Sequence, residues 1–219
     1  PPSDAMILGN LVDTMLLQPD LYDSRYEVLP ETYVDKKTGE QKKWNMNANV
    51  CKETYEKLLA CGRTLIKGDM LETANAMIEQ IKQHAEIMRT IEESKKQVCV
   101  VWVDTDTGVK CKGLLDMLSS EGITDLKTTP DASAKGFSFK INSFLYHVQA
   151  AMYSDGVTAN SDGIVLPYQF IAVEAEPPHC PSIYALEENS LMTGREIYKH
   201  ALRIYKDCVE KNSWPGYSQ

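Results

Sequence analysis

The chain has 219 residues, which suits one large domain or two small ones. Hydrophobic residues make up 43% and charged residues 25%, a composition that excludes a disordered, collagen-like or membrane-embedded chain. With 31 acidic against 23 basic residues the net charge is -8, so the overall basic footprint of many nucleic-acid binders is missing. Binding to nucleic acid then requires positive charge gathered locally, or bound cations that invert the local field.

The six cysteines (51, 61, 99, 111, 180 and 208) form no C-x-x-C and no zinc-finger spacing, and read as reduced cytoplasmic thiols packed as small hydrophobes. The opening Pro1-Pro2-Ser3-Asp4 lacks a basic n-region and looks trimmed. No signal peptide is expected, nor a membrane helix, since no apolar run reaches about 18 residues.

In chain order, Ser3 or Asp4 caps a first helix whose stripe is Leu8, Leu11, Val12, Met15 and Leu16, and Pro19 ends it. Residues 26–34 are strand-like. Residues 35–47, with four lysines and Trp44, read as a solvated loop or a mobile DNA-contacting one. Helices are expected over 48–60 and 69–93, the second capped by Asp69, with Met70, Leu71, Ala74, Met77, Ile78 and Ile81 as core. From 97 the period becomes two. Val98, Val100 and Trp102 alternate, Asp104 to Gly108 turn, a strand spans 109–118, Ser119 to Gly122 turn, and a third strand spans Ile123 to Thr129. Helices at 133–142 and 144–156, strands at 164–175 and 182–187, and an amphipathic helix at 189–212 complete the chain. The order favours one α+β domain over residues 1–219.

The hairpin around 119–122 carries the chemistry. If those four residues form the loop, Asp116 lies opposite Asp125, about 5 Å away on the same face. Strand alternation puts Lys127 there too. Two like charges so placed are destabilising unless compensated. Either a divalent cation shared by Asp116 and Asp125 compensates them, for which hard oxygen ligands suit Mg²⁺ or Mn²⁺, or Lys127 merely neutralises a solvent-facing pair. Gln149 and Tyr153 share one helix face. Asp13 sits inside the first amphipathic helix, either at the polar edge of its stripe or aimed at a charge. The histidines are scattered, with His147 read as structural, and Glu174 and Glu176 as a second acidic patch without an assigned role. There is no Gly-rich phosphate loop.

These segments resemble the RecE-like exonucleases (exonuclease VIII and its phage relatives), a branch of the PD-(D/E)xK nuclease superfamily. The matching stretches are TGVKCKGLLDML (107–118), ITDLKTTPDAS (123–133), YHVQAAMY (146–153), VEAEPP (173–178), WPGY (214–217) and the first helix, so the resemblance spans nearly the whole chain. It implies a restriction-endonuclease-like α+β core: a central mixed sheet with an antiparallel meander, flanked by helices. Asp116 and Asp125 would be metal ligands, the Leu126 carbonyl a backbone ligand, and Lys127 a partner of the attacking water or scissile phosphate. Gln149 and Tyr153 would orient the DNA end. Asp13 stands where the family usually has a histidine; as a metal ligand it can still bind a hard cation and adds a negative charge, without the imidazole's geometry at a second metal.

The implied activity is hydrolysis of linear double-stranded DNA from 5′ ends with one or two Mg²⁺ or Mn²⁺ ions, one activating water and one stabilising the leaving 3′ oxygen. The implied assembly is a homo-oligomeric ring, trimer or tetramer, lined by lysines such as Lys36, Lys37, Lys42, Lys43, Lys135 and Lys140, in phage, prophage or chromosomal recombination beside a single-strand annealing protein. Two rivals stand: a non-catalytic DNA-binding accessory protein on the same fold, and a metal-dependent endonuclease.

Overall fold

The computed structural model describes residues 2–216; Pro1 and Tyr217 of the terminal WPGY lie outside them. Helix α1 (Asp4–Leu17) starts where Ser3 Oγ accepts the Met6 amide at 3.3 Å. A short turn of 3-10 helix and α2 (Tyr22–Arg25) follow. Strand β1 (Tyr26–Val28) pairs in parallel with β4 (Thr64–Ile66), which the sequence pattern does not announce. The lysine-rich stretch expected to be a loop holds strand β3 (Gln41–Lys43), paired antiparallel with β2 (Thr32–Val34). Lys42 is held there by Asp35 at 2.6 Å and Lys36 faces Glu53 at 3.6 Å, so these two lysines already have carboxylate partners.

After α3 (Asn49–Ala60), the helix expected over 69–93 is two: α4 (Gly68–Lys82) and α5 (Ala85–Glu93), parted at Gln83 and His84. The cap position of α4 belongs to Lys67, with Asp69 in the first turn, where an acidic side chain favours the helix dipole. The stripe expected to be core is core: Ala74, Met77, Ile78 and Ile81 are buried.

Five strands then make the central sheet, in the order β5 (Lys95–Val103), β6 (Lys110–Leu118), β7 (Ile123–Thr129), β8 (Tyr168–Glu174) and β9 (Pro181–Ala185). The first three form the expected antiparallel meander. Helices α6 (Ala134–Ser143) and α7 (Tyr146–Ala159) carry the chain over so that β8 returns parallel to β7, and β9 is antiparallel again. The last helix, α8 (Glu188–Lys211), lies against α7.

Two apolar cores sandwich this sheet. On one side Leu11, Val12, Met77, Ile81 and Ile87 of α1, α4 and α5 meet Met117, Leu126, Ile171 and Val173. On the other, Phe137, Ala150 and Val157 of α6 and α7 meet Trp102, Leu115, Ile123, Phe170 and Ala172. Leu115 and Met117, two apart on one strand, contribute to different cores, so the side-chain alternation of β6 breaks between them. Among the described residues no helix is long and apolar enough to cross a membrane.

Helix α8 is tied down by charge as well as by packing. Arg195 grips Asp155 of α7 at 2.7–2.9 Å, with the Tyr198 hydroxyl on the same carboxylate. Lys199 reaches Asp104 at the β5–β6 turn, whose Oδ1 also accepts from the amide and hydroxyl of Thr107. Gly194 lets the two helices cross closely: a Cβ there would sit 2.2 Å from the His147 carbonyl oxygen. Backbone cannot retreat as a flexible side chain can. Gly194→Ala is therefore expected to cost roughly 3 kcal/mol, the upper end for overpacking, read as a lower urea midpoint at unchanged slope.

Candidate metal and active site at a strand fork

The pairing of β6 with β7 is only two residues deep: Leu118 faces Ile123 and Met117 faces Thr124. Beyond that, β6 stays with β5 and β7 with β8, so the sheet splits into two prongs. Asp116 and Asp125 are the next residues along this register, one on each prong. The expected opposition of the two aspartates is thus the observed register, but the ladder stops one pair short of them. Its place is taken by a side chain: Asp116 Oδ2 accepts the Leu126 amide at 2.9 Å.

The β5 side of Asp116 is irregular too. The β5–β6 ladder skips the position where Gln97 would face Asp116. Gln97 has φ 53°, a left-handed conformation that is uncommon for a non-glycine residue and commonest where structure serves a site. Its amide nitrogen lies 3.3 and 3.2 Å from the two carboxylate oxygens of Asp13, which α1 brings to the fork.

Asp125 is the most enclosed member, 3% exposed. Its Oδ1 accepts from Gln149 Nε2 at 3.3 Å and, at a long 3.5 Å, from the Tyr168 hydroxyl. Its Oδ2 is paired with the Lys127 ammonium, whose Nζ lies 2.5 Å away. Lys127 also stands 4.9 Å from the centroid of the Tyr146 ring. Tyr153 packs on β6, its ring filling the space that a Cβ on Gly113 would take, 2.8 Å from the nearest ring carbon. Of the expected site residues, then, Asp116, Asp125, Lys127, Asp13 and Gln149 converge, while Tyr153 packs on the adjoining strand.

The electrostatics are those of crowded anions. Burial, then Asp125, lift Asp13 to about 6. Burial, then Asp125 and Asp13, push Asp116 up to about 8 against the pull of the Leu126 amide and Lys127. Burial also raises Asp125, with Lys127 opposing. For Lys127, burial favours the neutral amine, but Asp125 outweighs it and keeps the ammonium charged. The Tyr168 phenol is held far above its usual range by burial and by Asp125, so it donates rather than ionises.

Among the described residues no three carboxylate, imidazole or thiol groups stand close enough to hold an ion unaided. Each carboxylate is turned to a local partner: Asp116 to Leu126, Asp13 to Gln97, Asp125 to Lys127. The donor set nevertheless fits a hard divalent cation: three carboxylates whose proton affinity is raised chiefly by burial stand at one fork, and Asp13 and Asp116 are raised further by acidic neighbours.

Gln97, Tyr146 and Tyr168 are absent from the sequence expectations. Only the parallel register of β7 on β8, which sets Asp125 beside Phe170, brings Tyr168 near. The left-handed turn at Gln97 has no glycine or asparagine to signal it. Glu174 has a structural task, accepting the Ala132 amide at 3.1 Å, and buried His147 meets the Ile141 carbonyl at 3.3 Å.

A family model described as a PDDEXK-like domain of unknown function (DUF3799) matches residues 1–219. The chain belongs to that family. Among solved structures it is similar to an inferred exonuclease from Eubacterium rectale, with TM-score 0.61 and 18% identity over 100% of this chain and 78% of that one. At this identity the likeness shows a shared fold. A second structure, SSO0001, reaches TM-score 0.33 at 14% identity over 67% of this chain and 66% of that one, too low to carry an argument. No curated protein matches the chain. The α+β fold expected from the sequence, with its mixed sheet and meander, is thus that of the PDDEXK-like family.

Asp13 offers a direct check on the crowding of anions. A carboxyl group that holds its proton to about pH 6 in the native state, against about 4 when unfolded, makes the native state bind more protons in that window. Stability therefore falls as pH rises through it, and the penalty is complete above it. In EDTA, Asp13→Asn is expected to raise stability at pH 8 by on the order of 1 kcal/mol, allowing for partial solvent screening, and to change nothing at pH 4. Thermal melts at the two pH values read this out; an equal shift at both would place the effect elsewhere.

Proposed function

We propose that residues 1–219 act as one metal-dependent DNA nuclease domain, an exonuclease on ends of linear duplex DNA. The observation that carries this reading is the meeting of Asp116, Asp125, Asp13 and the Lys127 ammonium at the fork of a PDDEXK-like sheet. Nucleases of this superfamily generally use divalent metals. Asp116 and Asp125, with the Leu126 carbonyl and Asp13, would hold one or two Mg²⁺ or Mn²⁺ ions, which supply electrophilic charge to the scissile phosphate and to water.

The chain's own groups then have separable tasks. Asp116 and Asp125 hold positive charge where the phosphate must come. Lys127 adds a fixed ammonium in a largely dry setting, where it stabilises developing negative charge far better than in water. Gln149 and Tyr168 orient Asp125, and Gln97 orients Asp13; being neutral, none of them cancels the carboxylate it holds. Gln149 would meet the DNA end only by turning from Asp125, and Tyr153 would do so from β6.

The finer reading follows the resemblance to RecE-like exonucleases: 5′ to 3′ digestion during recombination in the cytoplasm of a phage-bearing or bacterial host, by a trimeric or tetrameric ring working beside a single-strand annealing protein. Lys37, Lys43, Lys135 and Lys140 are its candidate DNA-lining cations. Lys36 and Lys42 contribute less, since Glu53 and Asp35 already engage them.

Linear, nicked and closed circular duplex, each with Mg²⁺, Mn²⁺ or EDTA, test the proposal. Loss of linear DNA only, abolished by EDTA, is the expected result. Cutting of closed circles would instead favour an endonuclease, and binding without cleavage in any metal an accessory protein. Asp125→Ala and Lys127→Ala are each expected to lower the rate at least about 10³-fold with the circular dichroism spectrum retained. Wild-type rates in both would remove them from the chemistry.

A further inference from the structure

Three large apolar side chains stand in solvent within seven residues, on and after the last turns of α6: Phe139, Phe144 and Leu145, which are 68, 60 and 49% exposed. Isolated exposed apolar groups are ordinary; a cluster around one tight connection is not. Leu145 takes a left-handed conformation, φ 56° and ψ 36°, as the only residue between Phe144 and the first residue of α7.

The cluster is continuous with the fork. The Phe144 ring stacks on Tyr146, centroids 5.7 Å apart and planes 20° apart. Tyr146 also meets Phe137 and Phe170 of the core, and the Lys127 ammonium, which in turn touches Asp125, stands 4.9 Å from its ring centroid. Three contacts therefore lead from an exposed ring to the most buried carboxylate of the site. The Lys140 ammonium lies 5.3 Å from the centroid of the same Phe144 ring.

We propose that Phe144, backed by Tyr146, is a stacking platform for an unpaired nucleobase of the strand whose phosphate is presented to Lys127, with the Lys140 ammonium, now over the Phe144 ring, turning aside to a neighbouring phosphate. An aromatic face beside ammonium groups matches the alternation of base and phosphate along a single strand, and base–aromatic stacking is tolerant of sequence. A protein partner would use the apolar surface but would have no need of ammoniums both over the ring and behind it. The platform would hold open the end of a duplex, giving the fork a frayed strand rather than a paired one. The inference rests on the nuclease reading of the fork.

The test uses the full chain in EDTA with duplex carrying a short single-stranded end, in which 2-aminopurine replaces the terminal base. The expected result is quenching of its fluorescence on binding to wild-type protein. Phe144→Ala should lose the quenching and bind the single-stranded end roughly tenfold more weakly, while Phe144→Trp should retain both. Because Phe144 is exposed, the alanine variant is expected to keep the wild-type melting temperature. Equal quenching and affinity in Phe144→Ala would overturn the platform. So would a change in its mass by light scattering, which would assign the face to contact between copies of the chain. If wild-type protein neither binds nor degrades DNA, the nuclease reading fails and the platform with it. If it degrades DNA while Phe144→Ala matches it in quenching and affinity, the platform alone fails.

Discussion

The parting of two strands after a pairing only two residues deep is the constraint on which the site depends. A continuous antiparallel ladder would place Asp116 and Asp125 side by side with their backbones bonded, and would leave no room between them. The fork separates the backbones, so that the Leu126 amide takes the Asp116 carboxylate instead of a main-chain oxygen. The opening also admits groups from both helical layers: Asp13 from α1 and Gln149 from α7 reach the same pair of prongs from opposite faces of the sheet. A flat sheet has two faces that never meet; the fork is where they do.

What fills the opening is unusual for a protein interior. Buried carboxylates normally come with matching cations, yet here three share the Lys127 ammonium, with Arg25 attracting Asp13 as well. Their neutral holders, two glutamines and a tyrosine, fix direction without removing charge. The raised proton affinities of Asp13 and Asp116 express the same imbalance, since a proton relieves part of what a divalent ion would relieve more fully. The cost in stability is borne by the two apolar cores on either side, which are dense with Leu, Ile, Met and Phe.

Much of this was legible in the residues. The meander could be read from its turns, Asp104 to Gly108 and Ser119 to Gly122, and the hairpin register followed from the second of them. The α1 and α4 stripes followed from helical period. The less legible parts each lacked a local signal. Strand β4 is three residues long and exists only because β1 lies beside it. The break between α4 and α5 falls at Gln83 and His84, with neither proline nor glycine to mark it. Strand β3 is polar because its hairpin with β2 is largely solvated, so composition reads it as loop. At the site, Asp116, Asp125 and Lys127 stand out as charges in strands. Tyr168 and Gln97 do not, because one needs the parallel pairing across α6 and α7 and the other a backbone twist that its side chain does not advertise.

Helix α8 contributes no group to the chemistry, but its inner edge joins parts of the molecule that the fork sets apart. Arg195 anchors it to α7, which carries Gln149, and Lys199 anchors it to the far end of the β5–β6 prong through Asp104. It braces the sheet from outside the fork: one ion pair holds the helix that carries Gln149, the other the turn at the distal end of β5 and β6. Its outer edge, where Ile197, Ile204 and Val209 face solvent, takes no part in that bracing. A change at Arg195 or Lys199 would loosen the frame that carries Gln149 and β6 without touching any group at the fork.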